Sequence, residues 1–254
     1  MTISVDLSDI ADGPTHAAGQ AILPGPMSAS VIVGGTNGLG RVIAQRMAAR
    51  GDQVVITGRE GGRADAIAAE IGHGVRALGL DLSRPETIAA SLASITEVDH
   101  LVITAIEQTA NTLRDFDISA AVRVVTVKLV GYTETVRVLR PRFRPGASVV
   151  LFGGLAKERP YPGSTMVTTF NGGVSGLVKT LAVEIAPHRV NAVHPGVVGD
   201  SPKWRHVANH PHVPRTPIGR LVTMDEVADA TEFLLRNTGI NAQDLHVDGG
   251  VLVT

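Results

Sequence analysis

Val31-Ile32-Val33-Gly34-Gly35-Thr36-Asn37-Gly38-Leu39-Gly40 decides how this chain folds. Three β-branched residues read as a short buried strand, and a glycine-rich turn follows at once. Beyond the turn, Leu39, Val42, Ile43 and Met47 recur at helical spacing on one face, and Gly51 ends the run. A strand passing through such a turn into a helix is an arrangement that binds dinucleotides. Glycines let the backbone approach a pyrophosphate, and the helix N-terminus turns free N–H groups toward the anion. A glycine turn alone is a weak signal, because any tight strand-to-helix junction uses glycine; its place in the first strand–helix–strand unit strengthens it.

The same alternation continues downstream. Apolar runs at Val54-Val55-Ile56, 75–80, Leu101-Val102-Ile103, 148–152, 190–193 and Leu245-His246-Val247 read as strands. Helical patterns cover 64–71, 85–95, 118–139, 164–186 and 224–235. The fold class is therefore α/β: a doubly wound parallel sheet covered by helices on both faces, in one domain over residues 28–254. Residues 1–27 stand apart as an N-terminal extension that ends near the breaker cluster Leu23-Pro24-Gly25-Pro26.

Composition bounds the partners. The 254-residue chain is 44% apolar but only 3% aromatic, so Val, Ile, Leu and Ala must fill the core. A net charge of −1 gives no electrostatic reason for nucleic acid or an anionic membrane. No apolar run reaches the ~18–20 residues that span a bilayer. Met1 to Gln20 carries no Lys or Arg and does not read as a secretory signal, so a cytoplasmic protein is expected. The absence of Cys excludes disulfides and thiolate metal sites, and no metal is expected.

A set of ordered motifs resembles the short-chain dehydrogenase/reductase (SDR) family over about residues 29–250. Gly34, Gly38 and Gly40 take the glycine places of the family's Thr-Gly-x-x-x-Gly-x-Gly turn, with Val33 at the Thr place. Arg189-Val190-Asn191-Ala192-Val193-His194-Pro195-Gly196-Val197-Val198 resembles its Arg-Val-Asn-x-Val-x-Pro-Gly-x-Val element. Pro217-Ile218-Gly219-Arg220, Asp225-Glu226-Val227-Ala228 and Val247-Asp248-Gly249-Gly250 follow in family order. The resemblance implies a Rossmann-like fold and a nicotinamide dinucleotide held by Gly34, Thr36, Asn37, Gly38, Leu39 and Gly40 at the pyrophosphate. It assigns Asp81 and Leu82 to the adenine, and adds Ala105 and, through the backbone after Pro-Gly, Val197 as cofactor contacts. Where an NAD-type member carries Asp, this chain has Gly58, followed by Arg59, whose guanidinium can pair with a 2′-phosphate. NADP(H) is therefore expected over NAD(H); the bland alternative for Arg59 is a solvated residue at a strand end.

The family's catalytic places are all changed. Gly176-Leu177-x-Lys179-Thr180-Leu181-Ala182-x-Glu184 fixes the register, so the family's Tyr-x-x-x-Lys falls on Val167 and Asn171. The Ser place falls on Gly154 and the Asn place on Lys128. Lys128, Asn171 and Ser164 are the candidate catalytic residues, with Asn171 also a candidate ribose contact. Helical spacing puts Ser164, Val167, Thr168 and Asn171 on a shared face. Lysine usually ends on a solvated surface, but Val124, Val125, Val127, Leu129 and Val130 around Lys128 make burial the competing outcome. Tyr161 and Lys157 are weaker candidates, and His194 reads as structural.

Two functions follow from different classes. One is an atypical NADP(H) oxidoreductase that transfers hydride to a C=O or iminium-type C=N group of a small molecule. The other is a cofactor-binding protein without redox turnover: a sensor, a partner subunit, or a scaffold for cyclisation or isomerisation. The resemblance also implies a homodimer or homotetramer paired through the helices at 118–139 and 164–186, where Gly172, Gly173 and Gly176 would allow close approach.

Overall fold

The computed structural model describes residues 27–107 and 111–254, so the extension read at 1–27 lies, except for Met27, outside the described residues. Seven strands run in chain order: β1 (Ala29–Val33), β2 (Gln53–Gly58), β3 (Arg76–Gly79), β4 (Val98–Ile103), β5 (Phe143–Phe152), β6 (Arg189–Pro195) and β7 (Asp244–Val247). They form one sheet in the order β3-β2-β1-β4-β5-β6-β7, with every pairing parallel. The helices are α1 (Gly38–Ala49), α2 (Gly61–Ile71), α3 (Ile88–Ser91), α4 (Ile118–Val125), α5 (Gly131–Leu139), α6 (Thr165–Glu184) and α7 (Met224–Arg236). The fold is the doubly wound α/β sheet that the alternation implied, and its strand order reverses between β1 and β4.

The strands look like unbroken apolar runs because both faces of the sheet are covered. Val31 and Val33, Leu101 and Ile103, and Val149 and Leu151 point to one core, which α5 and α6 cover with Tyr132, Val136, Val174 and Val178. Their neighbours Ile32, Val102 and Val150 point to the other, covered by Ile43 and Met47 of α1 and Val227 and Leu234 of α7. The two-residue period of a strand thus divides one sequence pattern between two cores.

Two helices, one strand and one glycine depart from the sequence reading; the strand is β5, which begins at Phe143 rather than at 148. The helix at 118–139 is continuous in path, but Thr126–Val130 widens into a π-helical turn between α4 and α5. The helix read over 85–95 is shorter: a 3-10 turn at Pro85–Thr87 leads into α3, and the chain then turns with Leu92 and Ile95 buried. Arg142 Nη1 donates to the Leu92 carbonyl at 2.6 Å, which satisfies that helix end from outside. Gly173 does not face outward: a side chain there would begin 2.9 Å from Leu129, so it serves the packing of α6 on the π turn. Gly172 and Gly176 do open on free space.

One ion cluster ties α1 to α7. Glu232, 2% exposed, accepts from Arg46 Nε at 2.8 Å and also from Arg50. Burial pushes its carboxyl up, but the hydrogen bond from Arg46 and the charge of Arg50 outweigh this and hold it below the ordinary carboxylate range. The guanidiniums are partly solvated, so we expect Glu232→Ala to cost about 2 kcal/mol in urea unfolding at neutral pH, between the values for exposed and buried pairs. A depressed carboxyl contributes fully above its unfolded pKa and loses its contribution as pH falls through the folded one. The parent and variant stability curves should therefore converge in acid; a gap independent of pH would assign the loss to packing instead.

Candidate functional site

The ends of β1, β2 and β4 open into a cleft of about 570 Å³. Its floor is the turn between β1 and α1. Gly34 and Gly38 adopt φ of +87° and +51°, a left-handed region that side chains strain. A side chain on Gly40 would collide with the Gly34 carbonyl oxygen, and one on Gly34 would begin 2.8 Å from Ala105 N. Asn37 caps α1, its Oδ1 accepting from Gly38 N at 2.9 Å. The first turn of α1 is thereby pressed against the strand ends, and its N-terminus opens on the cleft.

Gly34, Thr36, Asn37, Gly38, Leu39, Gly40, Arg59, Asp81, Leu82 and Ala105 all line this space. Val197 does not, although its neighbours Gly196 and Val198 do. The Thr36 methyl lies 2.6 Å from where a side chain at Gly58 would begin, so any side chain there would have to displace it. Arg63, in the first turn of α2, lines the same cleft. Burial pushes the Asp81 carboxyl up, but hydrogen bonds from the Ser83 hydroxyl and N–H, at 2.7 and 2.9 Å, hold it below its ordinary value. A turn too close for side chains, an open helix N-terminus and two guanidiniums in one wall fit a dinucleotide.

The other end of the cleft is built differently. Val127, Phe152, Gly153, Pro195 and Gly196 line it, and none has an ionisable side chain. Lys128, Asn171 and Ser164 are not among the lining residues. Lys128 is 2% exposed, so it is not a surface lysine; burial pushes its ammonium down to about 7. Its Nζ donates to Tyr132 Oη at 2.9 Å and lies 4.9 Å and 5.9 Å from the rings of Tyr132 and Phe170. Asn171 is buried beside Gly154, where a side chain would begin 3.0 Å from Nδ2, and its Oδ1 has no partner.

The hydroxyls expected to face the site are committed elsewhere. Ser164 Oγ accepts from Tyr161 N and meets Thr168 Oγ1, both at 2.9 Å; Thr168 Oγ1 donates to Ala156 O. They fasten the loop after β5 to the start of α6. Val167 is half-buried on α6. Tyr161 is exposed, and Lys157 pairs with Glu158 and Asp244. His194 is fully enclosed: Nδ1 accepts from Gly154 N at 3.1 Å and Nε2 meets Asp244 at 3.0 Å. A side chain on Gly153 would collide with that ring, so His194 shapes the cleft wall from behind.

Sequence reasoning missed Tyr132, whose Oη donates to Ala105 O at 2.9 Å, and the rim residues Lys203 and Trp204. The i, i+4 spacing of Lys128 and Tyr132 was the available signal for the first. Nothing in the segment after Pro195-Gly196 marked the second.

A family model described as Enoyl-(Acyl carrier protein) reductase matches residues 33–252. The L-xylulose reductase of Mesocricetus auratus is 31% identical over 239 residues, covering 89% of this chain and 96% of its own. The chain belongs to the short-chain dehydrogenase/reductase family. A 3-oxoacyl-acyl-carrier-protein reductase of Aquifex aeolicus (strain VF5) is 30% identical, covering 87% of this chain and 96% of its own. A solved short chain dehydrogenase/reductase family protein superposes with a TM-score of 0.81 at 29% identity, covering 89% of this chain and 98% of that one. The SDR match places the chain among oxidoreductases that use nicotinamide cofactors. No helix among the described residues is long and apolar enough to cross a membrane.

The buried lysine has a measurable consequence. Below pH ~7 both folded and unfolded chains carry the proton on Lys128, and the folded chain bears the full cost of a buried charge. Between about 7 and the ordinary value of 10.5, the folded chain has released the proton and the unfolded chain has not, so stability rises with pH. We expect Lys128→Met, which keeps the volume, to raise Tm at pH 7 and the gain to shrink toward pH 10 in thermal melts. A loss of stability at pH 7 would mean that the charge is compensated in the fold.

Proposed function

We propose that this SDR is an NADP(H)-dependent oxidoreductase that reduces or oxidises a small molecule at a non-standard site. The observation that carries the reading is the contrast within one cleft: Arg59, Arg63 and the α1 N-terminus on one side, and on the other Val127, Phe152, Gly153 and Pro195, with Glu107 and Lys203 also in the lining. When bound, the cofactor supplies or accepts a hydride. Gly34, Gly38 and Gly40 let the backbone approach the pyrophosphate, and α1 offers N–H groups to it. Arg59 and Arg63 are suited to the 2′-phosphate, and Gly58 places no carboxylate beside it.

The acceptor is a C=N or C=O carbon. Hydride addition to a carbonyl leaves an alkoxide that needs a proton, and Val127, Phe152, Gly153 and Pro195 offer none. Addition to an iminium yields a neutral amine without a proton at that step, so this wall favours the iminium. Lys128, held near neutrality by burial, does not repel such a cation as a fixed charge would. A carbonyl substrate would need its proton from a group at the cleft, where Lys203 is in the lining, or from Lys128 released from Tyr132. The same apolar wall also favours the second reading, a cofactor-binding protein without turnover. The assembly we propose is a homodimer or homotetramer through α4, α5 and α6, where Ile118, Val122 and Val183 are exposed.

NADPH should bind at least about tenfold tighter than NADH, or ~1.4 kcal/mol, and Arg59→Ala with Arg63→Ala should remove most of that preference in titration calorimetry. Equal affinities in the parent would refute the NADP assignment. Mixed with a panel of cyclic imines and ketones, the protein should oxidise NADPH with imines first; tight binding with no oxidation across the panel would establish the non-redox reading.

A further inference from the structure

We infer that Tyr132 is a positioning residue that carries the protonation state of Lys128 to the wall of the cofactor cleft at Ala105. The inference deepens the nucleotide-binding reading and rests on it for its functional meaning.

Three groups form a chain of two hydrogen bonds. Lys128 Nζ and Tyr132 Oη are 2.9 Å apart, and Oη lies 2.9 Å from Ala105 O. The phenol has a single hydrogen, and an ammonium can only donate. With Lys128 charged, Oη accepts from Nζ and its own hydrogen must serve the Ala105 carbonyl. Once Nζ releases its proton to solvent, the amine has a lone pair that can accept the phenol hydrogen. The neutral amine still has N–H donors, so the phenol hydrogen divides between Nζ and the Ala105 carbonyl, and the bond to Ala105 weakens. One proton leaves the protein in this step, and one hydrogen bond is weakened.

Ala105 is well placed to transmit the change. It lines the cleft, and its N and Cα lie 2.8 and 2.9 Å from where a side chain on Gly34 would begin. The preceding residue, Thr104, bonds through Oγ1 to the carbonyls of Val33 and Gly34 at 3.2 and 3.3 Å. A shift of the Ala105 peptide therefore bears on the glycine turn. Tyr132 itself is unsuited to be the proton donor: it is fully enclosed, its Oη is committed to Ala105, and burial pushes its phenol well above the usual range.

The surroundings isolate Lys128 as the titrating member. Phe170 of α6 faces Nζ, and the next residue, Asn171, carries no charge. Of the charged side chains on neighbouring segments, Glu107 pairs with Arg123, Glu86 with Arg84 and Glu134 with Arg137, and Asp81 accepts from Ser83. Burial alone lowers the ammonium.

The test follows two nuclei through a pH titration of the apo protein: the lysine 13Cε signals, of which the sequence provides four, and the amide 15N of Ile106, bonded to the Ala105 carbonyl. In the parent, the Ile106 shift should titrate with the midpoint of Lys128. In Tyr132→Phe, Lys128 should still titrate and Ile106 should stay flat. Should that variant fold poorly, Lys128→Met must abolish the Ile106 titration. An Ile106 shift that ignores pH in the parent, or titrates equally in Tyr132→Phe, overturns the inference. NADP+ affinity should vary several-fold across the same pH window in the parent and be constant in Tyr132→Phe. Binding without that linkage overturns the coupling to the cofactor wall, whereas an intact Ile106 titration with no dinucleotide binding supports the relay and refutes the cofactor reading.

Discussion

The structure depends on one close approach: the first turn of α1 against the ends of β1 and β4, with no side chain at Gly34 or Gly40 to hold them apart. That contact fixes the helix N-terminus at the point where strand order reverses, and the cleft exists because of it. Thr104 stitches β4 to the same turn through the Val33 and Gly34 carbonyls. The chemistry of the nucleotide end therefore follows from backbone geometry, and side chains refine it. Gly58 carries no carboxylate, and Arg59 and Arg63 add charge.

The other end is governed by burial. Val127, Phe152, Gly153 and Pro195 line the cleft there, and Lys128, Asn171 and Ser164 lie outside its lining. Lys128 is drawn into the core between Tyr132 and Phe170 at a π-helical turn. Its charge is opposed by desolvation without a counter-ion, so it sits near neutrality. Asn171 keeps an orphaned Oδ1 beside Gly154. His194 and Asp244 hold Gly153 and Gly154 from beneath, and Gly153 has no room for a side chain there. The wall is built by packing and stiffened from behind by hydrogen bonds.

The sheet was legible in the sequence because its strands are buried on both faces: Val31-Ile32-Val33 and Leu101-Val102-Ile103 can be little else in this setting. The glycine turn was legible because Gly34 and Gly40 meet a steric demand that no other residue satisfies. Motif register located Lys128, Gly154, Val167 and Asn171 but not the direction of their side chains. A lysine in an apolar helix can face either way, and the π turn that helps decide it leaves no periodic mark. Ser164 and Thr168 do share a face, as spacing implied, yet their hydroxyls bind the loop after β5. Tyr132 went unread because its partners, Ala105 and Lys128, meet it only once the sheet has formed.

A crystal structure of the protein with NADP+ and no other ligand is the decisive experiment. The pyrophosphate should lie against the Gly38–Gly40 backbone, the 2′-phosphate should be held by Arg59 and Arg63, and no ionisable side chain should come within hydrogen-bond reach of the nicotinamide C4. A dinucleotide bound elsewhere, or Lys128 swung out of the core to meet the nicotinamide, would contradict this arrangement.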